Sequence, residues 1–405
     1  MKKIIVLAVF LLIAIVYFTF YHQNKELKFI PKNADIVVLI DVKKLERQYI
    51  SNLAIHPSKW LGNKAKNTIS IQESGVQIPD FLQIFHVSNT QFSEWYSVVE
   101  IKNEQQFIKY LKQQKFIDKG KNVFQKEQII LTIDHEKCII GTSDRALKNI
   151  RQFIASGKND FRADSFINGS LGSISFISGP RTRNFSINLN NDDIEIKSAV
   201  NGEAFNSIIA QLQQKNTFLE TELDSKNIQN LASFFDKTLA DSLHLNHFTA
   251  TADPEQVSDT IITYGYDDNF NEIEKKSFRK ITQLNYVMAL QSLNPEKTEQ
   301  YFQHKKWMNA QNQFTAIPFQ PNVIEKNKVG FEIKSTRKAI SLSPILKENY
   351  IFIRNKALLY SSLTSLTPTE KKLISNLEYL FYGNKGYDYY VKLKFRKEDL
   401  PLILR

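Results

Sequence analysis

The feature that most constrains this chain is an 18-residue run, Ile4 to Tyr21, with no charge and only Thr19 as an aliphatic polar interruption. As a helix it would be about 27 Å long, close to the hydrocarbon thickness of a bilayer. Lys2 and Lys3 precede it, which favours a cytoplasmic N-terminus. The run predicts a transmembrane anchor over residues 1–24 and contact with the membrane through residues 4–21. The expected location is the cell inner membrane, single-pass, with the bulk of the chain periplasmic. A cleaved signal peptide is the competing expectation. It needs a small-x-small site after the apolar core, whereas Phe18-Thr19-Phe20-Tyr21-His22 places large aromatics there.

The chain as a whole has globular composition: of 405 residues, 42% are hydrophobic and 23% charged, enough for two or three domains. The single cysteine, Cys138, excludes a disulfide within the chain and a cysteine-built zinc site.

Ile36 to Val42 reads as a strand, and Tyr96 to Ile101 as another. Asn103 can cap a helix with Gln106 at the capping-box position, and Phe107, Ile108 and Leu111 share its apolar face. Ile129 to Ile133 and Cys138 to Ile140 flank a turn, Asp134-His135-Glu136-Lys137. Ser143 begins a second helix with Leu147, Ile150 and Ile154 inward, closed by Gly157, and Ile174 to Ile177 and Phe185 to Leu189 follow as a strand pair.

A similar order then returns. Val287 to Leu290 precedes Asn294-Pro295, a cap followed by proline at the first helical position. Tyr301, Phe302 and Trp307 match Tyr110, Leu111 and Phe116 in distance from the cap. Tyr350 to Ile353 and Leu358 to Tyr360 are matched to the first hairpin, so that Ile353 answers to Ile133 and the second copy carries an insertion of about 29 residues. Thr367-Pro368 starts another helix, and Leu380 to Tyr382 with Tyr387 to Phe395 closes the chain. The expected fold class is α+β: an N-terminal transmembrane helix followed by two tandem, diverged units of mainly antiparallel sheet packed with helices. The units span residues 25–202 and 246–405, joined by a helical connection over 203–245 that carries Leu231, Phe234, Phe235 and Leu239.

The opening Ile30-Pro31-Lys32-Asn33-Ala34-Asp35-Ile36-Val37, running to Asp41 and Leu45, resembles cell-envelope proteins of unknown function from Bacteroidota. These begin with an anchor followed by an IPxxAxxV strand opening. The resemblance implies an envelope location and a repeated α+β ectodomain, and no activity.

No phosphate-binding loop, H-E-x-x-H or G-x-S-x-G motif occurs. His244 and His247, with Asp241 nearby, form the one close histidine pair, but Phe248-Thr249-Ala250-Thr251 reads as a strand that sends them to opposite faces. His135 falls in a turn and Cys138 within a strand, which argues for a structural thiol. Asp192-Asp193 and Asp267-Asp268 sit beside asparagines in turn sequence and read as solvated turns rather than calcium ligands.

No catalytic, cofactor-binding or metal-ligating residue is therefore expected, and no cofactor. The expected function is a non-catalytic, membrane-anchored interaction or scaffold protein of the envelope. The alternative is a ligand-binding ectodomain that holds a lipid or glycan fragment at the junction of the units. From Ile324 to Arg405 there are 16 Lys plus Arg against 8 Asp plus Glu, which holds most of the formal net charge of +11. That region is expected to meet an anionic envelope surface or lipid headgroups. A protein partner is also expected, and nucleic acid is not.

Overall fold

The computed structural model describes residues 21–57, 70–156, 161–198, 202–235, 245–266, 268, 270–317, 322–358 and 366–405. The fold is α+β, dominated by antiparallel sheet, and the chain divides into two units: Met1–Ser198 with Lys397–Arg405, and Ala199–Arg396.

In the first unit, β1 (Ala34–Asp41) runs directly into α1 (Val42–Ile55), because Asp41 accepts the Lys44 amide at 2.7 Å and caps the helix. β2 (Val76–Gln77), β3 (Phe81–Val87) and β4 (Trp95–Ile101) precede α2 (Glu104–Gln113). Asn103 caps α2 as expected, accepting from the Gln106 amide at 3.0 Å. Two hairpins follow, β5 (Ile117–Gly120) with β6 (Val123–Lys126) and β7 (Ile129–Asp134) with β8 (Lys137–Gly141). Then come α3 (Leu147–Ser156), β9 (Gly172–Ser178), β10 (Arg181–Leu189) and β11 (Asp193–Lys197).

All pairings are antiparallel, in the order β5-β6-β7-β8-β4-β3-β1-β9-β10-β11. One core joins Val37, Leu39, Phe85, Tyr96, Val98 and Ile139 to Ile150 of α3. A second gathers Phe107 and Leu111 of α2 with Phe124, Leu131, Ile133 and Cys138. Each such buried side chain contributes roughly 1.5–3 kcal/mol.

The second unit contains α4 (Asn206–Gln214), β12 (Leu219–Asp224), α5 (Ser225–Phe235), β13 (Leu245–Tyr266), β14 (Glu272–Ser292) and α6 (Pro295–His304). It continues with β15 (Asn322–Asn327), β16 (Gly330–Ser335), β17 (Asn349–Arg354), α7 (Pro368–Asn376), β18 (Leu377–Lys385) and β19 (Asp388–Phe395). Its strand order is β15-β16-β14-β13-β12-β17-β18-β19, again antiparallel throughout. Residues 203–245, expected as a connection, thus hold β12, an inner strand of this sheet that pairs with both β13 and β17.

Within each unit the same internal order recurs, with β12 in the place of β1, β14 in that of β4, β16 in that of β8 and β17 in that of β9. Asp224 caps α5 through the Asn227 amide at 2.9 Å, as Asp41 caps α1. Asn294 caps α6 through the Lys297 amide at 3.1 Å, as Asn103 caps α2. The Trp307 amide donates to Phe302 O as the Phe116 amide does to Leu111 O, and the Ile324 amide donates to Asn312 O as the Ile133 amide does to Asn122 O.

These bonds correct the expected register. The counterpart of Ile133 is Ile324, thirty residues after its cap in both units. Ile353 lies in β17 and pairs with β12 and β18, so no insertion separates helix from hairpin. The hairpin in the corresponding place is β15 with β16, where Glu325, Lys326, Glu332 and Lys334 interrupt the apolar residues and mask the strand pattern. Helix α7 lies between β17 and β18, where the first unit has a tight hairpin between β9 and β10.

The expected transmembrane helix is also corrected. Among the described residues no helix is long and apolar enough to cross a membrane. The longest, α1, has 14 residues and carries Lys43, Lys44, Glu46 and Arg47. A span requires about 20 apolar residues in one continuous helix, and an apolar stretch of sequence alone does not establish that helix. The single-pass inner-membrane placement with a periplasmic bulk is therefore withdrawn. Residues 4–20, Gly157, Leu239 and Leu359–Tyr360, on which parts of the sequence expectations fell, lie outside the described residues.

Candidate functional site

Among the described residues of the second unit, the distal half of the β13–β14 hairpin is exposed along nearly its whole length. The two strands stay in uninterrupted register from His247↔Gln291 to Tyr266↔Glu272. Among the described residues, other strands pair only with their proximal parts: β12 along His247–Ala252 and β16 along Val287–Gln291. Beyond Val257, which is buried, the ribbon continues as a two-stranded arm with no further strand beside it among the described residues.

Its sequence suits that form. Thr260, Ile262, Thr263, Tyr264 and Tyr266 are β-branched or aromatic, and Asp268, Phe270 and Asn271 belong to the segment that reverses the chain. The base is held by a 2.7 Å hydrogen bond from Asn285 Nδ2 to Glu255 Oε2. An isolated hairpin is marginally stable in water, so the arm depends on the sheet that continues its strands.

The arm's side chains are unusual for such exposure. Tyr264, Tyr266, Phe270 and Phe278 are 67%, 71%, 86% and 76% exposed, and Ile262 is exposed as well. Alternation places Ile262, Tyr264 and Tyr266 on one face of β13, and Phe278 joins that face from β14, opposite Thr260. The arm was missed in the sequence, where only its Asp267-Asp268 turn was noted. The period-two run from Val257 to Tyr266 was the available signal.

A second feature is a groove of about 750 Å³ in the first unit, lined by Leu45, Tyr49 and Ile50 of α1 with Leu189, Ile403 and the polar Glu46 and Gln72. α1 buries none of its residues fully, so its apolar side forms one wall of this open groove.

No family model, curated protein or solved structure matches this chain.

The residues weighed in the sequence are dispersed. His135 stands exposed in the β7–β8 turn. Cys138 is fully buried in β8, and burial pushes its thiol up to about 12. Cys138 should therefore resist iodoacetamide in the folded protein and react fully in denaturant. Labelling of the native chain at the denatured rate would contradict the β8 packing.

His247 lies in β13 with Nε2 3.4 Å from Glu222, while His244 and Asp241 are outside the described residues. Asp192 pairs with Arg405 at 2.7 Å, Asp193 accepts from Asn190 Nδ2, and Asp268 is exposed, with Asp267 outside the described residues. Among the described residues no group of three or more His, Cys, Asp or Glu could hold a metal ion.

Sequence reasoning overlooked a set around the buried His86 at the end of β3. His86 Nδ1 is 2.6 Å from Asp35, and its Nε2 is 3.2 Å from Thr90 Oγ1. The order Asp-His-Thr invites a nucleophile reading. However, Nε2 also lies 3.0 Å from the Gln91 carbonyl, an acceptor that calls for an N–H there, and Thr90 donates to the Val87 carbonyl at 2.7 Å. The set ties down the turn after β3.

Part of the basic excess of residues 324–405 is engaged in ion pairs and hydrogen bonds. Lys326 binds Glu299 and Glu296, and Lys334 binds Glu325 and Glu332. Lys385 binds Glu348, Lys356 binds Asp253, and Arg354 donates to the Gln213 and Lys215 carbonyls. Such pairing lowers the local potential available to an anionic surface.

Proposed function

We propose that this chain is a non-catalytic interaction protein whose contact element is the β13–β14 arm. The observation that carries this is the exposed aliphatic and aromatic row Ile262, Tyr264, Tyr266 and Phe278, on an element that covers no core of its own. Exposed apolar clusters of this kind mark interaction sites, and tyrosine and phenylalanine supply large contact area at small entropic cost.

The test replaces Tyr264, Tyr266 and Phe278 together by serine in the full chain. Folding should be nearly unchanged, since exposed substitutions stay within about 0.5 kcal/mol each. Photocrosslinking from position 270 in cells should lose its adducts. Unchanged adducts would refute the arm as the contact element.

The same proposal includes a diverged duplication as the origin of the two units. It is supported by their shared strand order, the paired Asp and Asn caps, and the thirty-residue spacing from cap to hairpin. A second reading, binding of an apolar small molecule, is favoured by the groove beside α1 in the first unit.

A further inference from the structure

We infer that the partner of the arm is a second copy of this chain, bound arm to arm about a twofold axis; this rests on the arm being the contact element. The basis is the order of charges along the aromatic face. β13 contributes Thr260, Ile262, Tyr264 and Tyr266 to that face, and β14 contributes their cross-strand partners Phe278, Lys276, Glu274 and Glu272. Read from the tip toward the base, β14 thus presents Glu272, Glu274, Lys276 and Phe278. The face is acidic near its tip and becomes basic, then apolar, toward its base.

Such a face is complementary to itself when reversed. A twofold axis lying across the strands at the rung Thr263↔Lys275 sets two arms face to face and antiparallel. Residue i of one copy then meets residue j of the other, and j meets i. Glu274 faces Lys276 of the second copy, and the reciprocal pair forms as well. Tyr264 faces Ile262, and Tyr266 faces Thr260. In one arm Glu274 and Lys276 already lie 3.2 Å apart in an exposed pair, so association exchanges those salt-bridge partners, while Glu272 meets Phe278 of the second copy at the two ends of the contact, where it stays open to water. An anionic lipid surface is the poorer occupant, because Asp268, Glu272 and Glu274 lie within four residues of Phe270 at the tip.

The arm's nine rungs, Ser258↔Lys280 to Tyr266↔Glu272, span about 30 Å. Two faces of that length would bury on the order of 600 Å² in total, less than stable complexes use. The association is accordingly weak and concentration-dependent, in the micromolar range or above.

Sedimentation velocity of the full chain over a wide concentration range tests this. Wild type should sediment faster as concentration rises. Glu274→Lys and Lys276→Glu each create two like-charge contacts per dimer and should weaken association about tenfold. An equimolar mixture of the two variants, or the double exchange in one chain, places opposite charges together again and should recover wild-type association. Both positions are exposed, so folding is not at stake. A wild type that stays monomeric throughout overturns the inference, as do single exchanges without effect or a mixture that fails to recover. If wild type is monomeric while the serine variant still loses its crosslinked adducts, only the self-pairing falls. If those adducts also persist, the contact-element reading falls with it.

Discussion

Replacing Gly330 by alanine should destabilise the second unit by about 3–5 kcal/mol, at the upper end of single-substitution effects. Gly330 opens β16 at φ +155°, and a Cβ there would stand 1.9 Å from the Leu290 carbonyl oxygen and 2.9 Å from its carbon. Both are backbone atoms of β14, in the ladder that pairs Gly330 with Gln291. No rotamer change relieves that clash. Either the β14–β16 ladder opens or the hairpin backbone shifts, and the base of the arm lies on the same strand. Gly386, in the β18–β19 turn at φ +66°, has nothing within 4 Å of its Cβ position. Alanine there carries only the backbone cost of about 1–2 kcal/mol. Denaturant unfolding of both variants checks the contrast: equal losses would mean that β14 and β16 do not approach as described.

Replacing Glu222 by leucine should cost about 3 kcal/mol, although leucine is what the first unit carries at the matching place. Aligning the capping residues Asp41 and Asp224 sets Glu222 on Leu39 and Glu220 on Val37. Leu39 is fully buried among apolar neighbours. Glu222 is just as buried, at 2% exposure, but its carboxylate accepts the Leu346 amide at 2.7 Å and the Lys347 amide at 2.9 Å. Lys347 has φ +58°, so the two successive amides form a concave nest for the anion. Leucine would leave both N–H groups without their acceptor, and unmet buried donors cost about 1–3 kcal/mol each. Nearby Tyr350 registers the same setting: burial, with Glu220 and Glu222 adding their charge, pushes its hydroxyl above the usual tyrosine range. The measurement is equilibrium unfolding with limited proteolysis of residues 336–348. A variant as stable and as resistant as wild type would show that the nest does not hold that segment.

Local chemistry was legible in the sequence. Asn103, Asn294 and Thr367 cap the helices predicted for them, Phe107 and Leu111 face inward, and the β7–β8 turn falls between Asp134 and Lys137. Each of these depends on residues within a few positions of one another, so caps, turn formers and apolar spacing suffice. The same means failed at Ile353, because β-strand identity depends on pairing partners far away in the chain. β17 resembles the first hairpin in its apolar content and differs only in its neighbours, β12 and β18.

What the sequence by itself determined was element type and position wherever a short-range signal exists, together with the α+β class. What only the tertiary structure decided was strand order, the true counterpart of the β7–β8 hairpin, the burial of Glu220 and Glu222, and the arm. Glutamates in a strand read as solvent-facing until the loop amides that donate to one of them are in place. The arm reads as an ordinary strand pair until the sheet is seen to end beneath it, because exposure belongs to the assembled fold and not to any local stretch of chain.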